Sequence, residues 1–535
     1  MSENQTLGIS KIDEENINLD KVVSPRDKNV KIFPLRSRIS FTEVEIKNIE
    51  KLQKWVPYES APFEQPFFTC CCSCFFKMRY FCLCLFRQLI PLTYISLGKV
   101  SFFLIFLAIA GGLGYLVWGN TGNSGLLACL FLGLTFAFPT RNSIWLALTG
   151  IPFERVLIWH KFVAIISVAM GIYHGICSRA NLAGIILVAL MALIVILAFY
   201  PIRRKAFECF YRMHWVLSLL VILIGFIHGA AVAMIGAGIW LLDLIIRLLI
   251  VRRNRNKIEM AEITQLPPSL VKICFENHNF HYKAGQYVFL CVPALSIWEW
   301  HPFSLSSSPN EKAVSLHARV LGDWTKSLYD LSAVPHAVTK IWVDGPYGNC
   351  TLNIDSNEYK LFILVSGGIG ITPMQSVCNQ LVFEHMRGRL LKKILFIWSV
   401  KDKFLFDEVV ESPNALYMKK VASTRLPKSF QPDVLIKHEY EQVLEACFHL
   451  STVRKEEDFK TGNINPKQQK LLKFGRPNLP SYFEKIQKIA IDENESKVAV
   501  LCCGPEMMMA ECKKLARKYS KGGVVFDYHE ETFNF

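Results

Sequence analysis

Two pairs of histidines inside apolar segments constrain this chain more than any other feature. His160 and His174 lie 14 positions apart in one apolar run, and His214 and His228 lie 14 positions apart in another. At about 100° and 1.5 Å per residue, that spacing returns to within roughly 40° of the same helix face and covers about 21 Å. Two such helices side by side would present two imidazole pairs at two depths of a bilayer whose apolar core is about 30 Å thick.

Each imidazole pair is a candidate iron site. A neutral imidazole ligates iron, and a haem between two helices needs one histidine from each helix. The alternative is a set of polar side chains hydrogen-bonded within a helix bundle. It is disfavoured because ionisable groups at membrane depth are costly, and here they recur at equal spacing. We therefore predict two haem sites, one formed by His160 and His214 and the other by His174 and His228.

Composition places the chain among membrane proteins. It has 535 residues, of which 51% are hydrophobic, and a mean hydropathy of +0.26, with the apolar residues clustered in the first half. The net charge is +15. Much of the basic excess flanks apolar segments, which indicates an anionic membrane face rather than nucleic acid. Six crossing helices of about 20 residues each are predicted, at 97–118, 124–149, 157–177, 182–201, 210–230 and 232–251.

Basic clusters set the predicted orientation. They precede the first span and follow the fourth and the sixth, so six spans put all of them on one side, which is the cytosolic side. Both termini are then cytosolic, and His160 and His214 form the inner site. Arg141 and Arg155 flank a loop on that side. We expect them to anchor the inner face, with haem propionates or lipid phosphates as alternative partners.

Asp243 and Arg247 are one helical turn apart on the sixth span, and this spacing predicts an ion pair between them.

Residues 1–95 are predicted to be a cytosolic segment, with no cleavable signal peptide and no EF-hand calcium loop. A cysteine cluster lies just before the first span. Its crowded thiols lack the histidines and spacing of a tetrahedral zinc site, so reversible palmitoylation is favoured over zinc. Thiols without a special role are the alternative. The cluster consists of Cys70, Cys71, Cys72, Cys74, Cys82 and Cys84.

The pattern changes near residue 258, where short β-rich segments and Gly/Pro turns replace the apolar spans. "AGQYVFLCVP" and "AVSLHARVLGDW" predict strands of a small barrel. Further along, strand–turn–helix units predict an α/β domain. Two of its strands end in glycine turns that open helices, "GGIGITP" and "CGPEMM". Such turns suit a dinucleotide because backbone N–H groups and helix N-termini receive phosphate.

These motifs, in this order after a four-histidine membrane segment, resemble those of the ferric reductase and NADPH oxidase superfamily from about residue 95 to the C-terminus. The resemblance implies a multi-domain chain. Residues 96–252 would form an all-α six-helix transmembrane haem bundle. Residues 258–352 would form a β-barrel FAD-binding domain, and 358–535 an α/β Rossmann-like NADPH-binding domain of the ferredoxin-NADP reductase type.

The resemblance also assigns cofactor contacts, and no catalytic side chain is expected beyond them. The residues expected to contact FAD are in "HPFSLSS", at the arginine of "HARVLGDWT" and at an aromatic residue near the end of "FDYHEETFNF". These residues are His301, Pro302, Phe303, Ser304, Ser306, Ser307, Arg319, and Phe533 or Phe535. NADPH is expected to contact the two glycine turns and two basic residues. These residues are Gly367, Gly368, Gly370, Thr372, Pro373, Lys401, Arg476, Cys503, Gly504 and Pro505.

NADPH is preferred over NADH for a chemical reason. The 2′-phosphate needs a cation nearby, whereas NAD favours an acidic residue on its ribose. Arg476 in "FGRPN" stands where the oxidases contact that phosphate, and Lys401 in "WSVKD" stands where the family has a second basic residue. The alternative is that Arg476 is a solvated loop charge.

The two halves resemble different branches of the superfamily. "WEWHPF", "FGRPN" and "FDYHEETF" are typical of oxidases, whereas "PTRNSIWLALTGIPFERVLIWHKF" is more typical of ferric reductases. Ser178 stands where animal oxidases carry a histidine four residues after the outer ligand. The outer half of the second span has no arginine. Both departures weaken the prediction that oxygen is the acceptor.

The leading hypothesis is an NADPH oxidase that passes electrons through FAD and two b-type haems to oxygen and forms superoxide. A ferric-chelate or cupric reductase with the same electron path is the alternative. A silent haem-binding subunit is disfavoured by the intact flavin and nucleotide motifs, and a transporter by the lack of paired broken helices. We expect the plasma membrane as the location, lipid and the acceptor as partners, and control by regulatory subunits or oligomerisation. The segment 403–465 is poorly patterned and is either a docking surface or an inert insertion.

Overall fold

A computed structural model describes most of the chain between Leu97 and Thr532. The described residues are 97–117, 123–141, 153–178, 181–252, 257–266, 269–276, 280–311, 313–334, 337–348, 350, 352–401, 443–452 and 472–532. The N-terminal segment 1–95 with its cysteine cluster, and the predicted flavin-shielding residues Phe533 and Phe535, lie outside them.

The first half of the described chain is helical. Three helices, Val156–Cys177, Phe207–His228 and Ala231–Leu249, are long and apolar enough to cross a membrane, and three shorter apolar helices accompany them. The helices are α1 (Leu97–Val117), α2 (Ser124–Ala137), α3 (Phe153–Cys177), α4 (Leu182–Leu197), α5 (Tyr200–Lys205), α6 (Phe207–His228) and α7 (Ala231–Arg252). This part of the chain is an integral membrane domain, as predicted.

Two of the predicted membrane spans are longer than the helices in the structure. Helix α2 ends at Ala137 rather than at 149, because Pro139 has no N–H to continue the helical hydrogen bonds. Helix α4 ends at Leu197 rather than at 201, and the chain turns into the short helix α5, which has Pro201 in its first turn.

Close backbone contact joins α2 to α7. A Cβ atom placed on Gly236 would lie 2.0 Å from the carbonyl oxygen of Gly133, so only glycine fits there. Small residues that let backbones approach are the usual basis of helix association within a membrane. On α7, Nε of Arg247 lies 3.1 Å from Oδ2 of Asp243, which confirms the predicted ion pair.

The predicted FAD-binding domain, which we call the flavin half, is a six-stranded antiparallel barrel. The strands lie in the order β4-β3-β6-β1-β2-β5, and a bridge between Leu305 and Leu316 joins the two edges. Helix α8 (Asp323–Leu331) follows β5. The strands are β1 (Lys257–Leu266), β2 (Leu270–Phe275), β3 (Tyr287–Cys291), β4 (His301–Ser304), β5 (Val314–Arg319) and β6 (Ala337–Tyr347). The predicted barrel is confirmed.

The C-terminal domain, which we call the nucleotide domain, is a parallel sheet covered by helices. Its strands are β7 (Leu361–Gly367), β8 (Lys393–Val400), β9 (Leu444–Leu450), β10 (Leu472–Phe474), β11 (Lys497–Cys503) and β12 (Val525–Glu531). The helices are α9 (Ile371–Met386), α10 (Leu479–Asp492) and α11 (Glu506–Tyr519). The spatial order β10-β9-β8-β7-β11-β12 reverses direction between β7 and β11. In open α/β sheets that switch point is where ligands bind.

Strand β9 corrects the interpretation of 403–465 as poorly patterned throughout. "LEACFHL" forms an inner strand of the sheet between β8 and β10. A strand buried on both faces shows no alternation of polar and apolar residues, so its pattern is weak.

The membrane and flavin halves meet around Arg141, just after α2. Its guanidinium donates to Oδ2 of Asp344 on β6 at 2.9 Å and lies 3.4 Å from the ring centre of Phe289 on β3. Its backbone N–H donates to Asp243 on α7 at 3.2 Å. Arg141 was expected to anchor the inner face or meet phosphates. It instead ties three elements together, because Asp344 supplies a buried counter-charge. The side chain of Arg155 lies outside what the structure describes.

We predict that Arg141→Gln weakens the joint between the two halves. The change leaves the mostly buried Asp344 carboxylate without its cation, and breaking a buried pair in this way costs about 3–5 kcal/mol. Arg212→Gln is the matched control. Arg212 meets Glu299 at the same interface, but its side chain is 70% exposed, and such pairs contribute roughly 0–1 kcal/mol. The measurement is the midpoint of thermal unfolding in lipid nanodiscs, and equal shifts in the two variants would contradict the prediction.

Candidate functional site

The structure brings the four membrane histidines together in the predicted pairs. His160 on α3 faces His214 on α6 with 6.2 Å between ring centres, and His174 faces His228 also with 6.2 Å. Each pair joins matching ends of α3 and α6, so the two helices run parallel. The interplanar angles are similar, 71° and 72°. The two sites are therefore near copies of each other at two depths.

The ring separation fits one metal ion between each pair. A bond from a metal to an imidazole nitrogen is about 2.0 Å, and the nitrogen lies roughly 1.1 Å from the ring centre, so two rings that share an ion have centres about 6.2 Å apart. The role of these residues as haem ligands stays a prediction.

The inner site depends on a carbonyl group that α2 leaves free. Nδ1–H of His160 donates to the carbonyl oxygen of Thr135 at 2.8 Å. Within a helix that oxygen would accept from the N–H four residues later, but that residue is Pro139, which has none. The bond fixes the ring and directs Nε2 toward His214, as outer partners of ligating histidines do. Nδ1 of His214 is buried, with no partner among the described residues.

The outer site uses side-chain oxygens. Nδ1 of His228 donates to Oδ1 of Asn181 at 3.1 Å, and the same oxygen caps α4 through the N–H of Gly184. Nδ1 of His174 lies 3.0 Å from Oγ of Ser124 and 2.9 Å from Oγ of Ser178. The Ser178 hydroxyl also donates to the carbonyl oxygen of His174. Its oxygen can therefore accept from the ring.

Two glycines make room for the outer rings. A Cβ atom on Gly125 of α2 would lie 2.8 Å from Cε1 of His174, and one on Gly184 of α4 would lie 2.9 Å from Cε1 of His228. Neither glycine nor the Nδ1 partners were identified from the sequence. Pro139, four residues after Thr135, was the available signal for the inner partner.

The predicted flavin motif forms β4 and the turn after it. The imidazole of His301 lies 4.2 Å from the ring of Trp324 on α8, and Phe303 stacks on the same indole at 6.0 Å. Burial lowers the pKa of His301 to about 4, so this ring is neutral at pH 7. Its Nε2 is buried, with no partner among the described residues. An unpaired buried polar atom beside this motif is consistent with a bound cofactor there.

Two serines of the motif turn inward. Oγ of Ser306 lies 2.7 Å from Nδ1 of His317, and Oγ of Ser307 accepts from the N–H of Ser315 at 2.9 Å. Both serines are fully buried, so their hydroxyls hold the turn together. Their predicted role as side-chain contacts of FAD is therefore disfavoured, and the FAD contacts of the motif stay a prediction. Arg319 ends β5 with an exposed side chain, where a phosphate can reach it.

The two predicted glycine turns lie side by side at the switch point. Ser366 on β7 pairs with Cys503 on β11, so both strands end at the same level. A Cβ atom on Gly370 would lie 2.4 Å from the carbonyl oxygen of Cys503, and one on Gly504 would lie 3.1 Å from the N of Gly367. The turns therefore pack backbone against backbone, and at Gly370 only glycine permits the approach.

The surface of the first turn is open for a ligand. Gly368 has a φ of +56°, and a Cβ atom there would meet nothing within 4 Å. Its carbonyl oxygen accepts from Nε1 of Trp398 at 2.9 Å, which fixes the turn from below. Thr372 and Pro373 lie in the first turn of α9. The helix begins at the switch point, and the free N–H groups of a helix N-terminus there can receive a phosphate.

Cys503 is structural at the thiol. Its side chain is buried, and burial holds the pKa of the thiol well above its usual range. A thiol that stays protonated is a poor nucleophile. We therefore assign the contribution of Cys503 to its backbone, which packs against Gly370.

The sheet also brings the two basic residues to one edge. Val400, Leu450 and Phe474 are register partners across β8, β9 and β10. Lys401 and Arg476 come just after the first and third of these strands, so both lie at the carboxyl edge of the sheet, two strand spacings or about 10 Å apart. Both side chains are exposed. The pair can therefore receive an anionic group from solution.

A buried pair of side chains supports the loop of Arg476, and no sequence pattern predicts this pair. Nδ1–H of His449 donates to the carbonyl oxygen of Gly475 at 3.3 Å, and Nε2 accepts from the hydroxyl of Tyr482 at 2.9 Å. Burial lowers the pKa of His449 to about 4, so the ring is neutral at pH 7 and serves both bonds. Nζ of Lys473 donates to the same hydroxyl at 2.9 Å.

Gly370→Ala is expected to weaken NADPH binding at least about tenfold, or roughly 1.4 kcal/mol. The new methyl group meets the Cys503 carbonyl and forces the two turns apart. Gly238→Ala is the control, because a Cβ atom there meets nothing within 4 Å. The measurement is the NADPH dissociation constant by calorimetry. Unchanged affinity in Gly370→Ala would show that the close approach of the turns is not needed.

Three family profiles match the chain. The ferric reductase like transmembrane component matches residues 124–181, the FAD-binding domain matches 255–351, and the ferric reductase NAD binding domain matches 359–517. The first range includes His160 and His174. The second includes the motif from His301 to Ser307. The third includes both glycine turns.

Two named relatives are similar to about two thirds of this chain. Human dual oxidase 2 is 27% identical in an alignment of 376 residues that covers 66% of this chain and 23% of that protein. Mouse NADPH oxidase 1 is 28% identical in an alignment of 412 residues that covers 68% of this chain and 67% of that protein. The chain therefore spans less than a quarter of the length of human dual oxidase 2.

A solved structure is also similar to part of the chain. The ferredoxin NADP+ reductase from Neisseria gonorrhoeae with bound FAD and NADP covers 52% of this chain and 97% of that chain, at 14% identity and a TM-score of 0.33. The strand orders described above define the fold.

Proposed function

The chain belongs to the ferric reductase and NADPH oxidase family, and on that premise we propose that it moves electrons from cytosolic NADPH across a membrane to an acceptor on the other side. The observation that carries the proposal is the two imidazole pairs, each 6.2 Å apart, at two depths of the helical domain. A domain that bound haem for storage alone would need only one such pair.

Each of the three domains supplies one part of the electron path. We assign NADPH to the glycine turns and to Lys401 and Arg476, and FAD to the motif that begins at His301 and to Arg319. The two haems belong to the histidine pairs. When bound, FAD accepts a hydride from NADPH and releases the electrons singly, and the two haems relay them through the apolar layer.

The protein residues position these cofactors, and hydrogen bonds and burial hold the histidine side chains in one protonation state. Thr135 and Asn181 each accept the Nδ1 proton of a histidine, so Nε2 stays free for a metal. The neutral His301 packs on Trp324 and excludes water from the wall of the flavin site. At the sheet edge, His449 and Tyr482 hold the loop that presents Arg476.

Oxygen, giving superoxide, is the acceptor we propose first. Support comes from the cytosolic half, whose motifs are typical of oxidases, and from the relative named NADPH oxidase 1. A ferric or cupric chelate is the second candidate. It is favoured by the match to the ferric reductase like transmembrane component and by Ser178, whose hydroxyl is bonded to His174 where oxidases carry an imidazole.

We propose the plasma membrane as the location, with both termini cytosolic. The cations Arg203, Arg204 and Lys205 at the end of α5 support this orientation, because positive charge accumulates on the cytosolic side. Control by regulatory subunits or by oligomerisation is proposed as well.

The test of the function uses purified protein in lipid nanodiscs with FAD, haem and NADPH. NADPH oxidation in air is compared with the reduction of cytochrome c that superoxide dismutase inhibits, and is then repeated without oxygen on ferric citrate. We expect superoxide to account for the NADPH consumed. Fast turnover only with ferric citrate would make the protein a metal reductase.

Histidine variants separate the path from the acceptor. His228→Leu is expected to abolish turnover with either acceptor while the inner pair keeps its haem absorbance. His214→Leu is expected to remove the inner absorbance instead. Full turnover in His228→Leu would contradict the proposed order of sites.

Arg476→Ala is expected to raise the KM for NADPH about tenfold or more, because a hydrogen bond to a charged phosphate contributes roughly 1.5–3 kcal/mol. NADH lacks the 2′-phosphate and serves as the internal control, so its KM should stay the same. The measurement is steady-state kinetics with both nucleotides. An equal rise for NADPH and NADH would show that Arg476 does not read the phosphate.

A further inference from the structure

Two loops of the flavin half expose large apolar side chains beside the membrane domain. Among the described residues after α7, eight large apolar side chains are exposed, and the two loops supply three of them: Ile297 at 49%, Trp298 at 80% and Leu321 at 82%. We call Ile297, Trp298 and Leu321 the rim patch. Exposed apolar groups that cluster at one place usually mark an interaction site.

The first loop joins β3 to β4, and its next residues contact the membrane domain. Oε1 of Glu299 lies 3.5 Å from a guanidinium nitrogen of Arg212 on α6. Trp300 packs on the apolar cluster that includes Phe153 of α3 and Phe289 of β3. Ile297 and Trp298 therefore lie next to the end of the helical bundle and point away from the protein.

The second loop joins β5 to α8 and reaches the same helix. A Cβ atom on Gly322 would lie 3.8 Å from Oε1 of Glu208 on α6. The turn is fixed, because Oγ1 of Thr325 accepts from the N–H groups of Leu321 and Gly322 at 2.9 and 3.0 Å. Leu321 is therefore held outward by a formed turn.

The depth of these contacts follows from α6. Glu208 and Arg212 are one turn apart, on the face that both loops meet, and they lie in the first two turns of the helix. The 22 residues of α6 span about 33 Å, close to the thickness of the apolar core of a bilayer. Its first turns therefore lie at the level of the lipid headgroups, and so does the rim patch.

We propose that the rim patch inserts into the headgroup region of the bilayer and holds the flavin half against the membrane. The indole of Trp298 has an apolar body and a polar N–H, the combination that concentrates at membrane interfaces. Phe207 and Tyr211 on α6 are exposed at the same level and continue the patch. The cations Arg203, Arg204 and Lys205 on α5 suit anionic lipid. The patch binds lipid whatever acceptor the electrons reach.

The experiment places an environment-sensitive fluorescent amino acid at Trp298, at Leu321 or at Leu390 in the full chain. Leu390 is the control, because it is 73% exposed and sits between α9 and β8 in the nucleotide domain. The nanodiscs contain phosphatidylcholine with or without bromine on the acyl chains. We expect bromine to quench the probes at 298 and 321 at least about twofold more than the probe at 390. Equal quenching at the three positions would overturn the proposal.

Two further measurements distinguish anionic lipid from a second copy of the chain at the rim patch. Adding phosphatidylserine should increase quenching at 298, and the triple variant Arg203→Gln, Arg204→Gln, Lys205→Gln should remove that increase and leave the rest. No change with phosphatidylserine would overturn the role of anionic lipid. A probe at 298 that is shielded without bromine quenching, and more so at higher protein concentration, would show a second copy of the chain in place of lipid.

Discussion

The four imidazoles among apolar helices each present a ring N–H that must be satisfied where water is scarce, and the described membrane helices are arranged around that requirement. Three of the four have an oxygen within 3.1 Å of Nδ1. Two of these oxygens are available because they lie where a helix ends or begins. Thr135 has a free carbonyl because Pro139 cannot donate, and Asn181 lies before the first turn of α4 as its cap. The helix breaks that shorten α2 and start α4 are thus the source of the histidine partners.

The nucleotide domain depends on a different constraint, which is the close approach of two backbone turns. At the switch point two turns must lie within contact distance and still leave N–H groups free for an anion. Gly367, Gly370 and Gly504 permit the approach, and Gly368 leaves the surface open. Trp398 and the buried Cys503 fill the space beneath the turns. The proposed nucleotide site is therefore built on close-packed backbone, and the two cations proposed to select NADPH lie apart from it at the sheet edge.

Features encoded by local spacing were predictable from the sequence, and those made by distant contacts were not. The histidine pairs follow from helical periodicity, and the glycine turns from their place between strand and helix. The Asp243–Arg247 pair follows from a separation of one turn. Arg141 was misassigned because its partner Asp344 is 203 positions away. Strand β9 and the His449–Tyr482 support were missed because a strand buried on both faces gives no alternation, and a histidine 33 positions from a tyrosine gives no local signal.

Helix α2 links these constraints into one mechanical unit. Its first residues, Ser124 and Gly125, contact His174 of the outer pair, and Thr135 near its end holds His160 of the inner pair. Arg141, just beyond it, binds the flavin barrel through Asp344. The contact of Gly133 with Gly236 fixes the helix against α7. Along the chain, Thr135 is six residues from Arg141, whereas Ser124 is seventeen residues away. The inner pair is therefore the one whose partner on α2 lies nearer to the contact with the flavin half.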